Sequence, residues 1–189
     1  HNIILYDLLD IYNLFRSHEN KFDQSIESIL RNNIKKMIKY MESMLHTDGD
    51  IPFFNDSTLN VAPHPEAIYE YSKLLNIKAD YFDRNLIDHI DSGFIVSYKN
   101  KTKLIFNCSQ IKADYIPGHY HASMLSFEMS FNEKRFFVNS GINTYENNNK
   151  RHKQRGTISQ NTVEVNSENS IEVWSSFRVA RRALINNKE

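Results

Sequence analysis

Leu125-Ser126-Phe127-Glu128-Met129-Ser130-Phe131 alternates apolar and polar residues without a break. Successive side chains on a β-strand point to opposite faces, so this period of two predicts a strand of an antiparallel sheet with one face buried. Asn132-Glu133-Lys134 follows as a hairpin turn, and Arg135-Phe136-Phe137-Val138 as the return strand. Upstream, Phe94-Ile95-Val96-Ser97-Tyr98 and Lys103-Leu104-Ile105-Phe106 read as two strands joined by Lys99-Asn100-Lys101. Downstream, Thr162-Val163-Glu164-Val165-Asn166 alternates again, and the run from Phe177 to Leu184 starts one more strand. Asn147-Asn148-Asn149 reads as a polar loop.

Ahead of residue 80 the period is different. Ile4, Leu5, Leu8, Leu9, Ile11, Tyr12 and Phe15 recur at helical spacing and predict one apolar stripe. Ile26, Ile29, Leu30, Ile34, Met37, Ile38, Met41, Met44 and Leu45 hold a second face for more than five turns, with Asp23 placed to cap it. The methionines of that face read as core filling. Asp48-Gly49 and Pro52 mark a turn after it. A third helix is expected from Pro65, a favoured first-turn position, with Ile68, Tyr71, Leu74 and Leu75 inward.

The chain has 189 residues, with 23 basic and 23 acidic side chains. A nucleic-acid binder usually carries a basic surplus, so no nucleic-acid partner is expected. No apolar run reaches the roughly 18 residues of a membrane span. Cys108 is the only cysteine, which excludes an internal disulfide, and its apolar neighbours predict an inert core residue. The chain opens at His1 without Met and stops soon after a strand begins. The expectation is a piece of a larger protein, cut at both ends.

Chemistry concentrates in two places. His119 and His121 are two apart in Gly118-His119-Tyr120-His121. On extended backbone both imidazoles point to one side, where they could ligate a metal or move protons. They could equally be ordinary loop residues. The second place follows the hairpin: Asn139, Ser140, Gly141, Asn143, Thr144 and Tyr145, then Lys150, Arg151, His152, Lys153 and Arg155. Arginine forks onto carboxylates, so this cluster could hold an anionic sugar. Its alternative is a solvated basic loop.

Six ordered blocks resemble the heparinase II/III family. They are Asp48-Gly49-Asp50-Ile51-Pro52-Phe53-Phe54-Asn55-Asp56, Gly118-His119-Tyr120-His121-Ala122 with Leu125-Ser126-Phe127-Glu128, Val138-Asn139-Ser140-Gly141, Arg155-Gly156-Thr157, Asn161-Thr162-Val163 and Trp174-Ser175-Ser176-Phe177-Arg178. The resemblance implies an α+β, multidomain arrangement. Residues 1–80 would be the last helices of an α/α toroid, and 81–189 the first part of an antiparallel β-sandwich. It implies a polysaccharide lyase that cleaves uronate-containing acidic glycans by β-elimination. The alternatives are a non-catalytic glycan-binding or surface-polysaccharide assembly protein of the same fold, and an unrelated two-part structural domain. Family members are often periplasmic or secreted, which is the expected location.

The same resemblance assigns roles. His119 takes the substrate-facing histidine and Tyr145 a second active-site tyrosine, as catalytic residues. Beside these assignments, Arg151, Arg155, Asn55 and Asn161 are the expected substrate-binding residues. A tyrosine that acts as base needs positive charge nearby, which Arg151 and Arg155 could supply. His121 occupies a histidine that binds zinc in some members, but the other two positions of that set hold Asn139 and Gln160. Neutral amides are weak zinc ligands, so no metal or other cofactor is expected. Hydrogen bonds among His121, Asn139 and Gln160 would replace it. Ser123 also stands where the family has an Asp.

Overall fold

The computed structural model describes residues 1–18, 23–79, 85–111 and 115–185. They form two compact units. One comprises His1–Leu45 and Leu59–Asp83, the other His46–Thr58 and Arg84–Glu189. The loop 46–58, expected to go with the helices, is grouped with the sheet by its contacts.

The first unit holds α1 (Asn2–Ser17), α2 (Gln24–Met44) and α3 (Pro65–Leu74). Asp23 caps α2 by accepting from the Ser25 N–H at 2.8 Å, and Pro65 opens α3. α1 packs on α2 and α3. Its buried stripe is narrower than expected: Leu5, Leu9 and Tyr12 are buried, while Ile4 and Ile11 are exposed. In α2 the buried set starts at Ile34, and Ile26 and Ile29 stay exposed. Leu74, expected inward, is exposed, whereas Ile68 and Leu75 are buried. Among the described residues no helix is long and apolar enough to cross a membrane.

In the second unit a five-stranded antiparallel meander runs β1 (Leu86–His89), β2 (Phe94–Lys99), β3 (Thr102–Asn107), β4 (Phe127–Phe131) and β5 (Lys134–Phe137). The turns at Asn100 and Lys101 and at Asn132 use left-handed backbone, which asparagine tolerates. A bulge at Met129/Ser130 breaks the β4–β5 register. Val96, Ile105 and Glu128 lie in one cross-strand row, all buried.

That row reverses the hydrophobic pattern. On β4 the buried side chains are the polar Glu128 and Ser130, while Phe127 and Met129 are partly exposed and Phe131 is exposed. Hydrogen bonding is the reason. Glu128 Oε2 is 2.7 Å from His46 Nε2, and Oε1 accepts from the Phe53 and Asn139 N–H groups at 2.8 and 3.2 Å. Ser130 Oγ lies 3.2 Å from His46 Nδ1. A buried carboxylate is tolerated only when its oxygens are satisfied in this way. Ser130, His46 and Glu128 are the residue types of a hydrolase triad, but the ring nitrogens are reversed, with Nδ1 on the hydroxyl and Nε2 on the carboxylate, and all three residues are buried.

Expectations for the last third of the chain change in part. Thr162–Asn166 is not a strand: only a Val165–Glu168 bridge forms, because left-handed Asn166 and Ser167 fold the chain back there. The run after Phe177 pairs over two residues, β6 (Val173–Trp174) with β7 (Arg178–Val179). The basic run is α4 (Asn149–Arg155), capped by Asn148, and not a loop. Cys108 is buried.

Candidate functional site

Spacing within α4 sets the first element. Arg151 and Arg155 stand four apart, so both face inward, and both are fully buried. Arg155 donates to the carbonyls of Tyr120 (3.0 Å), Ser175 (2.9 Å), Trp174 (3.3 Å) and Arg178 (3.1 Å). Arg151 donates from Nε and Nη2 to the Ser176 carbonyl at 3.1 and 2.9 Å. Two guanidinium groups therefore grip the β6–β7 turn through four backbone carbonyls.

Arg151 turns the rest of its fork onto Asp56. Nη2 donates to Oδ2 at 2.9 Å and Nη1 donates to Oδ1. The same carboxylate takes His119 Nδ1 on Oδ2 at 2.8 Å and His121 Nε2 on Oδ1 at 2.7 Å. The shared side foreseen for the two histidines is thus a shared carboxylate. Burial by itself raises the Asp56 carboxyl. The hydrogen bonds from His121, Arg151 and His119 outweigh it and hold the group well below the usual carboxylate range. Asp56 is accordingly ionised and can only accept, so His119 carries its proton on Nδ1 and His121 on Nε2.

The histidines differ in exposure. The His121 side chain is buried, and burial lowers its pKa against the raising effect of Asp56. The His119 side chain is 63% exposed. With Nδ1 tied to Asp56, its Nε2 is the free nitrogen, and a neutral ring offers a lone pair there.

Tyr145 and Phe177 complete a rim. Ring centroids stand 6.1 Å apart for His119–Tyr145, 5.8 Å for His119–Phe177 and 5.4 Å for Tyr145–Phe177. The Arg151 guanidinium lies 5.2 Å from the Tyr145 centroid and 5.4 Å from that of Phe177. The Tyr145 pKa is raised, first by burial and then by Asp56, with Arg151 opposing. The positive charge a tyrosine base would need is present but already paired, so the phenol keeps its proton and can donate it.

The other expected site residues are placed as follows. Asn55 Oδ1 accepts from the His121 N–H at 3.2 Å, which leaves its NH₂ group to donate elsewhere. Asn161 donates from Nδ2 to the Phe127 carbonyl and from its backbone N–H to Asn139 Oδ1. The guanidinium groups of Arg151 and Arg155, expected to meet substrate, are instead spent on Asp56 and on carbonyls. Two residues were not singled out from sequence. Asp56 stands beside Asn55 in the block Asp48–Asp56, and its role appears only once the fold brings Arg151, His119 and His121 onto it. Phe177 carried no such signal.

The expected hydrogen bonds among His121, Asn139 and Gln160 are replaced by other partners. Asn139 Oδ1 is held by Asn161 N–H, and Gln160 Nε2 donates to the Gln154 carbonyl at 2.9 Å. What remains is His121 Nδ1, Asn139 Nδ2 and Gln160 Oε1, all buried without hydrogen-bond partners among the described residues. A zinc site needs about four lone-pair donors. This set offers one imidazole nitrogen and one amide oxygen against an NH₂ group, and does not fit zinc.

A family model described as Heparinase II/III-like, C-terminal matches residues 83–189. Comparison with curated proteins gives no match. Among solved structures, the chain is similar to a heparinase III gene product at 23% identity, covering 81% of this chain and 26% of that one with a TM-score of 0.61. It is similar to the heparan sulfate lyase HepC from Pedobacter heparinus at 18% identity, over 88% and 28% of the two chains, with a TM-score of 0.63. A further heparinase III matches at 16% identity over 98% and 33%, with a TM-score of 0.61. At these identities the likeness is one of fold. The chain spans about a quarter to a third of the length of these structures.

Proposed function

The chain belongs to the heparinase II/III-like family through that family's C-terminal region, and from this premise we propose that it supplies acid–base residues of a polysaccharide lyase acting on uronate-containing glycans. In this reading α1–α3 close an α/α toroid and the meander belongs to a β-sandwich. The solved neighbours are named heparinases and a heparan sulfate lyase, which makes glycosaminoglycan-type polymers the first substrates to try.

The observation that carries the proposal is the His119–Asp56 bond at 2.8 Å beneath an exposed imidazole. Asp56 fixes the ring so that Nε2 faces outward as base. Nε2 takes the C5 proton of the uronate, the electron pair forms the C4–C5 double bond, and the C4–O4 bond breaks. The Tyr145 hydroxyl gives its proton to O4. The Asn55 NH₂ donates to the sugar carboxylate as negative charge spreads onto it. Arg151 and Arg155 act as positioning residues: one anchors Asp56 and both hold the β6–β7 turn. Asn161 acts in the same way by tying Asn139 to β4. No step runs through a metal.

The test is turnover by the intact protein on a panel of acidic polysaccharides, followed by ultraviolet absorbance of the unsaturated uronate. H119A should lose on the order of 10²–10⁴-fold in kcat. Binding of acidic glycans with no product on any of them would favour the glycan-binding alternative, for which the neutral Asn139 and Gln160 are the specific observation. Binding of none would remove both.

A further inference from the structure

Phe177 is an apolar ring left 43% exposed at the mouth of a site whose other exposed groups are polar. Its position is built with unusual investment. The Arg151 and Arg155 bonds to the carbonyls of Trp174, Ser175, Ser176 and Arg178 surround it in sequence on both sides. Gly118 lets the backbone of the His119 segment come close: a Cβ there would sit 2.9 Å from the Phe177 carbonyl oxygen and 3.0 Å from its Cβ. Fully burying two charged side chains to fix a turn is costly unless every donor is satisfied, and here most are directed at this one turn. The ring so fixed stands edge-on to His119 at 5.8 Å and lies tilted by 41° against Tyr145 at 5.4 Å.

We propose that Phe177 is a substrate-positioning residue, the platform on which the apolar C–H face of one pyranose ring stacks. This rests on the proposed function for its acidic substrate, and adds what orients the sugar. A pyranose on Phe177 is within one ring's width of both the His119 and Tyr145 rings. The hydrogen-bonding edge of the sugar then turns toward Asn55, His119 and Tyr145. A flat aromatic surface with few directed polar groups is how binding clefts generally fix orientation.

The experiment compares F177L and F177W in the intact protein, with uronate-containing oligosaccharides as probe. F177L keeps apolar bulk against Gly118 and removes the flat ring, while F177W enlarges it. F177L should raise KM about tenfold with a much smaller change in kcat, with a cooperative thermal melt retained. F177W should stay within about threefold of the parent in KM. Parent-like KM in F177L, or a fall confined to kcat, overturns the platform and leaves the lyase reading standing. Ring-dependent binding of neutral oligosaccharides alone would keep the platform and sink the acidic-substrate reading. Absence of binding to any oligosaccharide by the parent overturns both.

Discussion

Replacing Asp56 by Asn should be among the most damaging single changes in the sheet-bearing unit. The carboxylate accepts two bonds from Arg151 and one from each of two histidines. An amide has one accepting oxygen, so at least one oxygen position becomes an NH₂ group facing donors. The Arg151 side chain has no solvent exposure, so it is left as a buried cation without its counter-ion. Breaking one side of a buried pair costs about 3–5 kcal/mol. D56N should therefore lose about 4 kcal/mol in a urea titration, a large part of the roughly 5–15 kcal/mol that a domain possesses. R151M should cost less, because the two histidines still face the carboxylate. The double variant D56N/R151M should be no worse than D56N alone, with a coupling energy of about 2 kcal/mol. The pH dependence has a definite sign. A carboxyl depressed in the folded state contributes stability that is complete above about pH 5 and is lost as pH falls below the unfolded value near 4. The gap between parent and D56N should narrow in that acid range. A cost below about 1 kcal/mol for D56N, or strict additivity in the cycle, would refute the assignment of Asp56 as the centre of the cluster.

Glu128→Gln should destabilise by about 2–4 kcal/mol in the same titration, since an amide NH₂ would meet either the Phe53 and Asn139 N–H donors or His46. Lys103, whose burial lowers its pKa to about 8, binds its proton less tightly folded than unfolded. Stability should rise between pH 8 and about 10, and K103M should abolish that slope in thermal melts at several pH values. Elemental analysis of the purified protein should find well under one zinc per chain, and N139D/Q160H should raise zinc uptake because both amides are replaced by ligands. Stoichiometric zinc in the parent would contradict the donor set described above.

Local rules gave the helices and hairpins because their causes are local. Asp23 caps α2, Pro65 opens α3, and Asn132 turns β4 into β5, each through its own backbone preference. The burial of β4 was not legible, because the partners that satisfy Glu128 come from His46 and Phe53, some 80 residues upstream. The basic run misled for a related reason. Nothing adjacent to Arg151 announces that its counter-ion is Asp56, 95 residues away. His119 and Tyr145 were visible as residue types with proton chemistry, while Phe177 has no such signature and becomes meaningful only through its neighbours.

The arginine grip on the β6–β7 turn acts entirely through main-chain oxygens. Side-chain identity at the exposed Trp174 is thereby uncoupled from the integrity of the framework. In a saturation mutagenesis screen position 174 should vary freely, position 175 should favour Gly and Asn because its backbone is left-handed, and Arg151 and Arg155 should tolerate almost nothing. The turn is then a mount for variation: with Phe177 as the proposed platform, one exchange at position 177 should alter sugar recognition and leave the arginine grip in place.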